Sequence, residues 1–217
     1  MWSESMLIDE KRVKSALLNR DIQPTGILHI GAHECEELGF YQSLGLRPTD
    51  VIWIDAISSK VEEAKRRGIP NVYNAVITGE DDKEVNFYVS NNVRSSSILP
   101  LGTHKTEHPN VWYVRQNRMT GVTIDTFFEK SGHDVNKCNL WNLDIQGAEL
   151  MALQGAERSL KSADALYLEV NEASLYEGCG LIGEIDDFLK TRGFERVITS
   201  ITRHKWGDAL YCRTHRS

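Results

Sequence analysis

Apolar residues in this chain fall into short, nearly continuous runs set between charged, amphipathic stretches. Ile27-Leu28-His29-Ile30, Val51-Ile52-Trp53-Ile54, Asn71 to Val76, Leu140-Trp141-Asn142-Leu143 and Ala165 to Val170 have the pattern of strands buried on both faces of a parallel sheet. From Glu4 to about Asn19, apolar Met6, Leu7, Val13, Ala16, Leu17 and Leu18 recur among charges and predict an amphipathic helix that Pro24-Thr25-Gly26 ends. An acidic first turn, Glu34, Glu36 and Glu37, predicts a second helix running through Leu38, Phe40 and Tyr41. Ser58 to Arg67 and Ile182 to Arg192 predict two more, the latter stopping at Gly193. Phe194 to Ser200 and Asp208 to Arg213 close the chain as a strand pair whose short connection suits a hairpin. Alternating β and α elements predict a doubly wound α/β sheet with antiparallel pairing at its C-terminal end.

Residues 83–126 interrupt that alternation. Val85 to Val89 and Val122-Thr123-Ile124-Asp125 predict β excursions, with a polar loop of Asn91, Asn92 and Ser95-Ser96-Ser97 between them. No linker or repeat divides the 217 residues, so one domain is expected over 1–217, with 1–22 as a helical extension and 83–126 as an insertion covering the acceptor site. With 25 Lys+Arg against 31 Asp+Glu and a formal charge of -6, the chain has no general attraction for phosphate backbones, so nucleic acid is not an expected partner. No apolar run approaches the roughly 18 to 20 residues of a membrane span. Cys35, Cys138, Cys179 and Cys212 are scattered without a C-x-x-C pair and no leader-like segment opens the chain, which predicts a reducing, cytoplasmic setting.

The chemistry concentrates at strand ends. The first strand ends at Gly31, and Asp55 stands 24 positions later at the tip of the second, the spacing at which an acidic side chain meets both ribose hydroxyls of a bound nucleotide. Gly31-Ala32-His33-Glu34-Cys35-Glu36 does not align to G-x-G-x-x-G, and its carboxylates would repel a pyrophosphate. They suit a cofactor carrying an ammonium and a sulfonium, S-adenosylmethionine. Asp144, in Leu143-Asp144-Ile145-Gln146-Gly147-Ala148-Glu149-Leu150, has two readings: an acid at a strand tip facing a ligand, or a cap on the helix that follows Gly147.

His29-Ile30-Gly31-Ala32-His33, Trp53-Ile54-Asp55-Ala56, Ser95-Ser96-Ser97-Ile98, Leu143 to Leu150 and Glu169-Val170-Asn171, in that order and spacing, resemble the FkbM-type methyltransferases. The resemblance covers roughly Ile27 to Arg213. It implies a Rossmann-like class I methyltransferase fold: a mostly parallel seven-stranded sheet with an antiparallel C-terminal strand and helices on both faces. It also implies S-adenosylmethionine-dependent O-methylation of a hydroxyl on a sugar, glycan or related metabolite. Carried over, it places Gly31, Ala32, His33 and Glu37 at the methionine and ribose end, Asp55 and Ala56 at the ribose, and Asn74 and Ala75 by the adenine. Asp144 then lies where the methyl projects, and Glu169 and Asn171 lie at the next tip. Two positions depart from the family pattern, His29 where an acid is common and Cys35 where a small residue is expected.

An aliphatic hydroxyl needs help to lose its proton, so Asp144 is the first choice for base or orienting group, Glu169 the second and His33 the third. A carboxylate pair across neighbouring tips can also hold a divalent cation that acidifies the hydroxyl. His104 and His108 have the spacing of two ligands on one helix face, but Pro109 follows and no third ligand is evident, so no zinc site is expected. Trp112, Tyr113 and Trp206 are open to two readings, a platform for a sugar face or core aromatics. A nicotinamide-dependent oxidoreductase is the rival enzyme, supported by Asp55 and opposed by the first turn. A catalytically silent binding module is the rival outside enzymes, opposed by the retained acids Asp55, Asp144 and Glu169.

Overall fold

The computed structural model describes residues 6–214. The first half of the chain forms α1 (Glu10–Leu18), β1 (Ile27–Ile30), α2 (Leu38–Ser43), β2 (Val51–Asp55), α3 (Ser58–Arg66) and β3 (Val72–Asn74). An excursion follows, with β4 (Val76–Ile77), β5 (Glu84–Ser90), α4 (His104–Glu107) and β6 (Tyr113–Val122). The chain returns through α5 (Ile124–Ser131), β7 (Leu140–Leu143), α6 (Glu149–Gln154), β8 (Ala165–Asn171), α7 (Ile182–Lys190), β9 (Phe194–Ile201) and β10 (Trp206–Arg213).

Seven strands form one sheet in the order β3-β2-β1-β7-β8-β10-β9, in which only β10 runs antiparallel to its neighbours. This is the class I methyltransferase arrangement that the resemblance implies. The sheet is buried on both sides, which is why its central strands read as apolar runs. Leu28, Ile30, Trp141, Leu143, Leu166 and Leu168 pack against α5, α6 and α7. Ile27, Val51, Trp53, Leu140 and Tyr167 pack on the other face against α1, α2 and α3. None of the helices among the described residues is long and apolar enough to cross a membrane.

Four local expectations are corrected. The first helix begins at Glu10, because Asp9 Oδ1 accepts the N–H groups of Lys11 (3.0 Å) and Arg12 (3.3 Å) and so caps it there. Glu4 lies outside the described residues, and Met6 to Ile8 form a non-helical arm whose Leu7 N–H donates to Asp208 Oδ2 at 2.6 Å. The acidic stretch Glu34 to Glu37 precedes its helix, since His33 (φ 41°) and Cys35 (φ 56°) take left-handed conformations that no helix accommodates. Ile124 and Asp125 belong to α5: Asp81 Oδ1 accepts the Thr123 N–H (2.8 Å), and Thr123 Oγ1 caps the helix through Thr126 N–H (3.1 Å). The excursion is also wider at its start than 83–126. It leaves the main sheet at Val76, where β4 pairs in parallel with the end of β6 in a separate three-stranded sheet.

The contact that opens a cleft lies between β1 and β7. Both strands end together, Ile30 opposite Leu143, and their chains then turn to opposite faces of the sheet. Gly31 takes φ +94°, and a Cβ there would sit 1.9 Å from the Asp144 carbonyl oxygen. Gly31→Ala should therefore cost about 2 kcal/mol of stability or more, since strain and a backbone clash add. Urea unfolding of the two proteins, compared at equal slope, measures it.

Candidate active site

One cavity runs along the carboxyl ends of the strands. Its floor carries Ile30, Gly31, Ile54, Asp55, Asp144 and Glu169, and it continues past Asp208 and Trp206 under the excursion. Of the residues expected from sequence, Gly31, His33, Glu37, Asp55, Ala56, Ala75, Asp144 and Glu169 all line it. Ala32 does not: it is 1 % exposed and packs into the core beneath the turn. Asn74 is exposed beside a smaller neighbouring cleft, and its Nδ2 donates to the Asp55 carbonyl at 2.9 Å, so it braces the β2 tip from behind. Asn171 is buried at the end of β8 and also stands outside the lining.

Asp55 is held by two backbone donors, His33 N–H on Oδ2 and Ile57 N–H on Oδ1, each at 2.7 Å. These bonds tie the turn after β1 to the tip of β2 and fix the carboxylate's plane. Burial pushes its pKa up, and the two N–H groups oppose that shift.

At the next tips the two readings of Asp144 separate. No side chain caps α6 itself, and Glu149 closes the turn before it, its Oε1 accepting Ile145 N–H (2.8 Å) and Gly147 N–H (3.3 Å). Asp144 is therefore released from capping and faces the cavity, where Gln146 Nε2 donates to its Oδ1 at 2.7 Å. The same Gln146 nitrogen donates to Glu169 Oε2 at 2.8 Å, and Tyr176 Oη donates to Gln146 Oε1 at 2.6 Å. Gln146 reaches both acids because it takes φ 56° ahead of Gly147 at φ 96°. Burial raises the pKa of Asp144, which Gln146 counteracts. Glu169 is raised well above its ordinary value by burial and then by Asp144 and Glu149, and it stands beside an acid more open to the cavity.

Four further lining residues carry weaker signals in the sequence. Asp208 pairs with Glu169 across β8 and β10 and accepts from Leu7 N–H and from Tyr167 Oη; burial lifts it to about 7. A β-strand aspartate on an antiparallel partner has no motif, and only its register against Glu169 reveals it. Gln146, Tyr176 and Arg94 complete the set. Trp206 lines the cavity, whereas Trp112 is 56 % exposed away from it and Tyr113 stacks on Tyr88 at 4.8 Å.

A model of the methyltransferase FkbM domain matches residues 29–196, which includes both tips and the turn between them. The chain belongs to the FkbM methyltransferase family. No curated protein matches the chain. Among solved structures, this FkbM methyltransferase is similar to magnesium protoporphyrin IX methyltransferase from Synechocystis with bound S-adenosylmethionine, at 14 % identity and TM-score 0.46 over 94 % of this chain and 77 % of that one. It is also similar to a SAM-dependent methyltransferase from Aquifex aeolicus, at 13 % identity and TM-score 0.38 over 96 % of this chain and 100 % of that one. The CurJ carbon methyltransferase is similar at 12 % identity and TM-score 0.45, over 96 % of this chain and 54 % of that one.

The two departures of this FkbM methyltransferase from its family pattern have physical accounts. His29 is buried and kept neutral, its pKa lowered to about 4 by burial. Its Nδ1 lies 2.9 Å from Tyr41 Oη, which accepts from Asn142 Nδ2 at 2.9 Å. Glu37 brings a carboxylate next to it, with Oε2 3.8 Å from His29 Nδ1 and a place in the cavity lining. Cys35 is buried in the core under the turn, and burial pushes its thiol up to about 12, so it packs as a small apolar group.

A divalent cation between Asp144 and Glu169 gains no support, because an amide nitrogen already bridges the pair. Among the described residues the one group of three or more His, Cys, Asp or Glu ligands that could hold a metal is His33, Glu34 and Glu36, whose carboxylates are ion-paired to Lys60 and Arg94. His204 joins His104 and His108 in a file of rings with centroids 4.7 Å apart, yet these do not form such a group.

The acid cluster sets a pH dependence of stability. Glu149 is lifted by burial from 4.5 to about 8, so the folded form binds its proton more tightly than the unfolded chain. Stability from this group is full below pH 4.5 and is lost as pH rises towards 8. Asp208, lifted to about 7, acts in the same sense, while His29 and His104, both lowered to about 4, act only below pH 6.5. The melting temperature should fall between pH 6.5 and 8, and Glu149→Gln should flatten that fall. A calorimetric series over this window checks it; an equal slope in the variant would count against Glu149 as its source.

Proposed function

We propose that this FkbM methyltransferase transfers the methyl group of S-adenosylmethionine to a hydroxyl of a sugar, glycan or related small metabolite. The observation that carries the reading is the pair of acids on adjacent strand tips, Asp144 and Glu169, joined by one amide and open to a cavity with an aromatic far wall. The lining residues fit the cofactor chemically. Asp55 suits ribose hydroxyls, Ala75, Val76, Ile77 and Phe87 offer an apolar slot for the adenine, and the acids of the turn and tips suit the cationic end.

When bound, S-adenosylmethionine supplies an activated methyl group on a sulfonium. The chain's own part is to align, to exclude water and to take a proton. Asp144, with its pKa raised by burial, is a better proton acceptor than an ordinary surface carboxylate. The upward shift of Glu169 weakens the build-up of negative charge beside it, and Gln146 sets the spacing between them. Trp206, Tyr176 and Asn92 give the acceptor end both ring faces and polar groups, which suits a hydroxylated ligand. The excursion that roofs this end is docked rather than hanging free: Ser97 Oγ donates to the Gln146 carbonyl (2.8 Å), and Gly102 N–H donates to the Leu175 carbonyl (2.7 Å).

The acidic surface balance supports a small-molecule or glycan acceptor over nucleic acid, and four free, buried cysteines support a reducing, cytoplasmic setting. Purified protein should gain thermal stability with S-adenosylmethionine and not with NAD. A panel of nucleotide sugars, free glycans and small hydroxylated metabolites, assayed for labelled methyl transfer, should then return an acceptor. With that acceptor, Asp144→Asn should keep cofactor affinity within a few-fold and lower turnover at least about a hundredfold. Full turnover in the variant removes Asp144 from the catalytic step.

A further inference from the structure

Among the described residues the cavity is lined by six carboxyl groups, those of Glu36, Glu37, Asp55, Asp144, Glu169 and Asp208, and by a single guanidinium, Arg94. Its histidines do not answer this imbalance: burial lowers His104 to about 4 and also lowers His108, and His33 is already engaged through Nδ1 with Glu36 Oε1 at 2.9 Å. S-adenosylmethionine brings two positive groups that such a site welcomes, but its methionine end also brings a carboxylate that the ionised acids repel. Among the described residues lining the cavity, one lysine or arginine can meet it.

Arg94 does not sit there by accident of a loose loop. The turn Val93–Ser95 that carries it is fastened on both sides: Asn92 Nδ2 donates to Ser95 Oγ (3.1 Å), Ser90 N–H donates to Ser96 Oγ (3.0 Å), and Ser97 Oγ donates to the Gln146 carbonyl (2.8 Å). Arg94 Nη2 donates to Glu36 Oε1 at 2.7 Å, across from the turn after β1. Glu36 is itself fixed, since Oε1 also bonds His33 Nδ1 (2.9 Å) and Oε2 accepts Glu34 N–H (3.0 Å). Burial works upward on Glu36, but the bond from His33 and the backbone N–H groups of Glu36 and Glu34 hold its carboxyl down at about 2, so it faces Arg94 as a carboxylate. Arg94 Nη2 spends one hydrogen on Glu36, Nε and Nη1 make no hydrogen bond among the described residues, and one of these two beside the second Nη2 hydrogen forms the two-pronged edge that matches a carboxylate.

We infer that Arg94, reaching over from the excursion, anchors the carboxylate of the methionine end of S-adenosylmethionine while Glu36 holds the guanidinium in place. The inference rests on the cofactor reading above. It makes the excursion part of the cofactor site as well as the roof of the acceptor site.

Calorimetric titration of the full chain and of Arg94→Gln with four ligands tests it: S-adenosylmethionine, S-adenosylhomocysteine, decarboxylated S-adenosylmethionine and methylthioadenosine. The first two, which carry the carboxylate, should bind the variant at least about tenfold more weakly, and the last two should bind both proteins within about twofold. Arg94→Lys should recover part of the loss, because an ammonium keeps the charge and loses the fork. Equal weakening of all four ligands, or unchanged affinity for S-adenosylmethionine, would overturn the assignment and leave Arg94 as a latch on Glu36. If the unaltered protein binds none of the four, the cofactor reading itself fails and the anchor with it.

Discussion

The structure depends on the close approach of two backbones where β1 and β7 end side by side. Gly31 lies against the Asp144 carbonyl with no room for a side chain, and Asp144 N–H donates to the Ile30 carbonyl at 3.0 Å. From this point one chain turns towards α2 and the other towards α6, on opposite faces of the sheet. A crevice must open between them, at the place where strand order reverses and open α/β sheets bind ligands. Asp55 is tied to one lip through His33 N–H, and Gln146 shapes the other.

The consequences of that crevice are electrostatic. Acids from three adjacent strand tips and the turn after β1 share a concave, poorly hydrated space, and each raises the cost of ionising the next. The protein manages this with hydrogen bonds rather than with lysines: one amide spans Asp144 and Glu169, a phenol and a backbone N–H hold Asp208, and two backbone N–H groups hold Glu149. A site that keeps negative potential in reserve is suited to a cationic cofactor whose charge is consumed in the reaction. The one guanidinium on the lining enters from the excursion, outside the Rossmann core.

Much of this was legible in the chain. Strands buried on both faces cannot hide their composition, so all seven main-sheet strands were readable from apolar runs and alternation, and the spacing from Gly31 to Asp55 followed from the length of one helical crossover. Misplaced boundaries share one cause: a local hydrogen bond or backbone angle overrode the periodicity. Asp9 and Thr123 capped helices where the pattern ran on, and His33 and Cys35 adopted positive φ inside a stretch whose charges favoured a helix start. Ala32 and Asn74 sit at motif positions, yet one turns into the core and the other behind the β2 tip, because the side-chain direction of a turn residue depends on φ and ψ that its neighbours in sequence do not determine.

By itself, then, the sequence determined the layered fold, the family and the strand tips at which the acids stand, because those follow from hydrophobic periodicity and from short-range spacing. Only the tertiary structure decided what those acids do. It gave the bracing of the turn before α6 to Glu149 and left Asp144 facing the cavity, set Asp208 beside Glu169 across an antiparallel pair, and brought Arg94 to Glu36 from 58 residues away. Each of these is a contact between segments remote in sequence, and its geometry exists only once the sheet has assembled and the excursion has docked against the turn at Gln146.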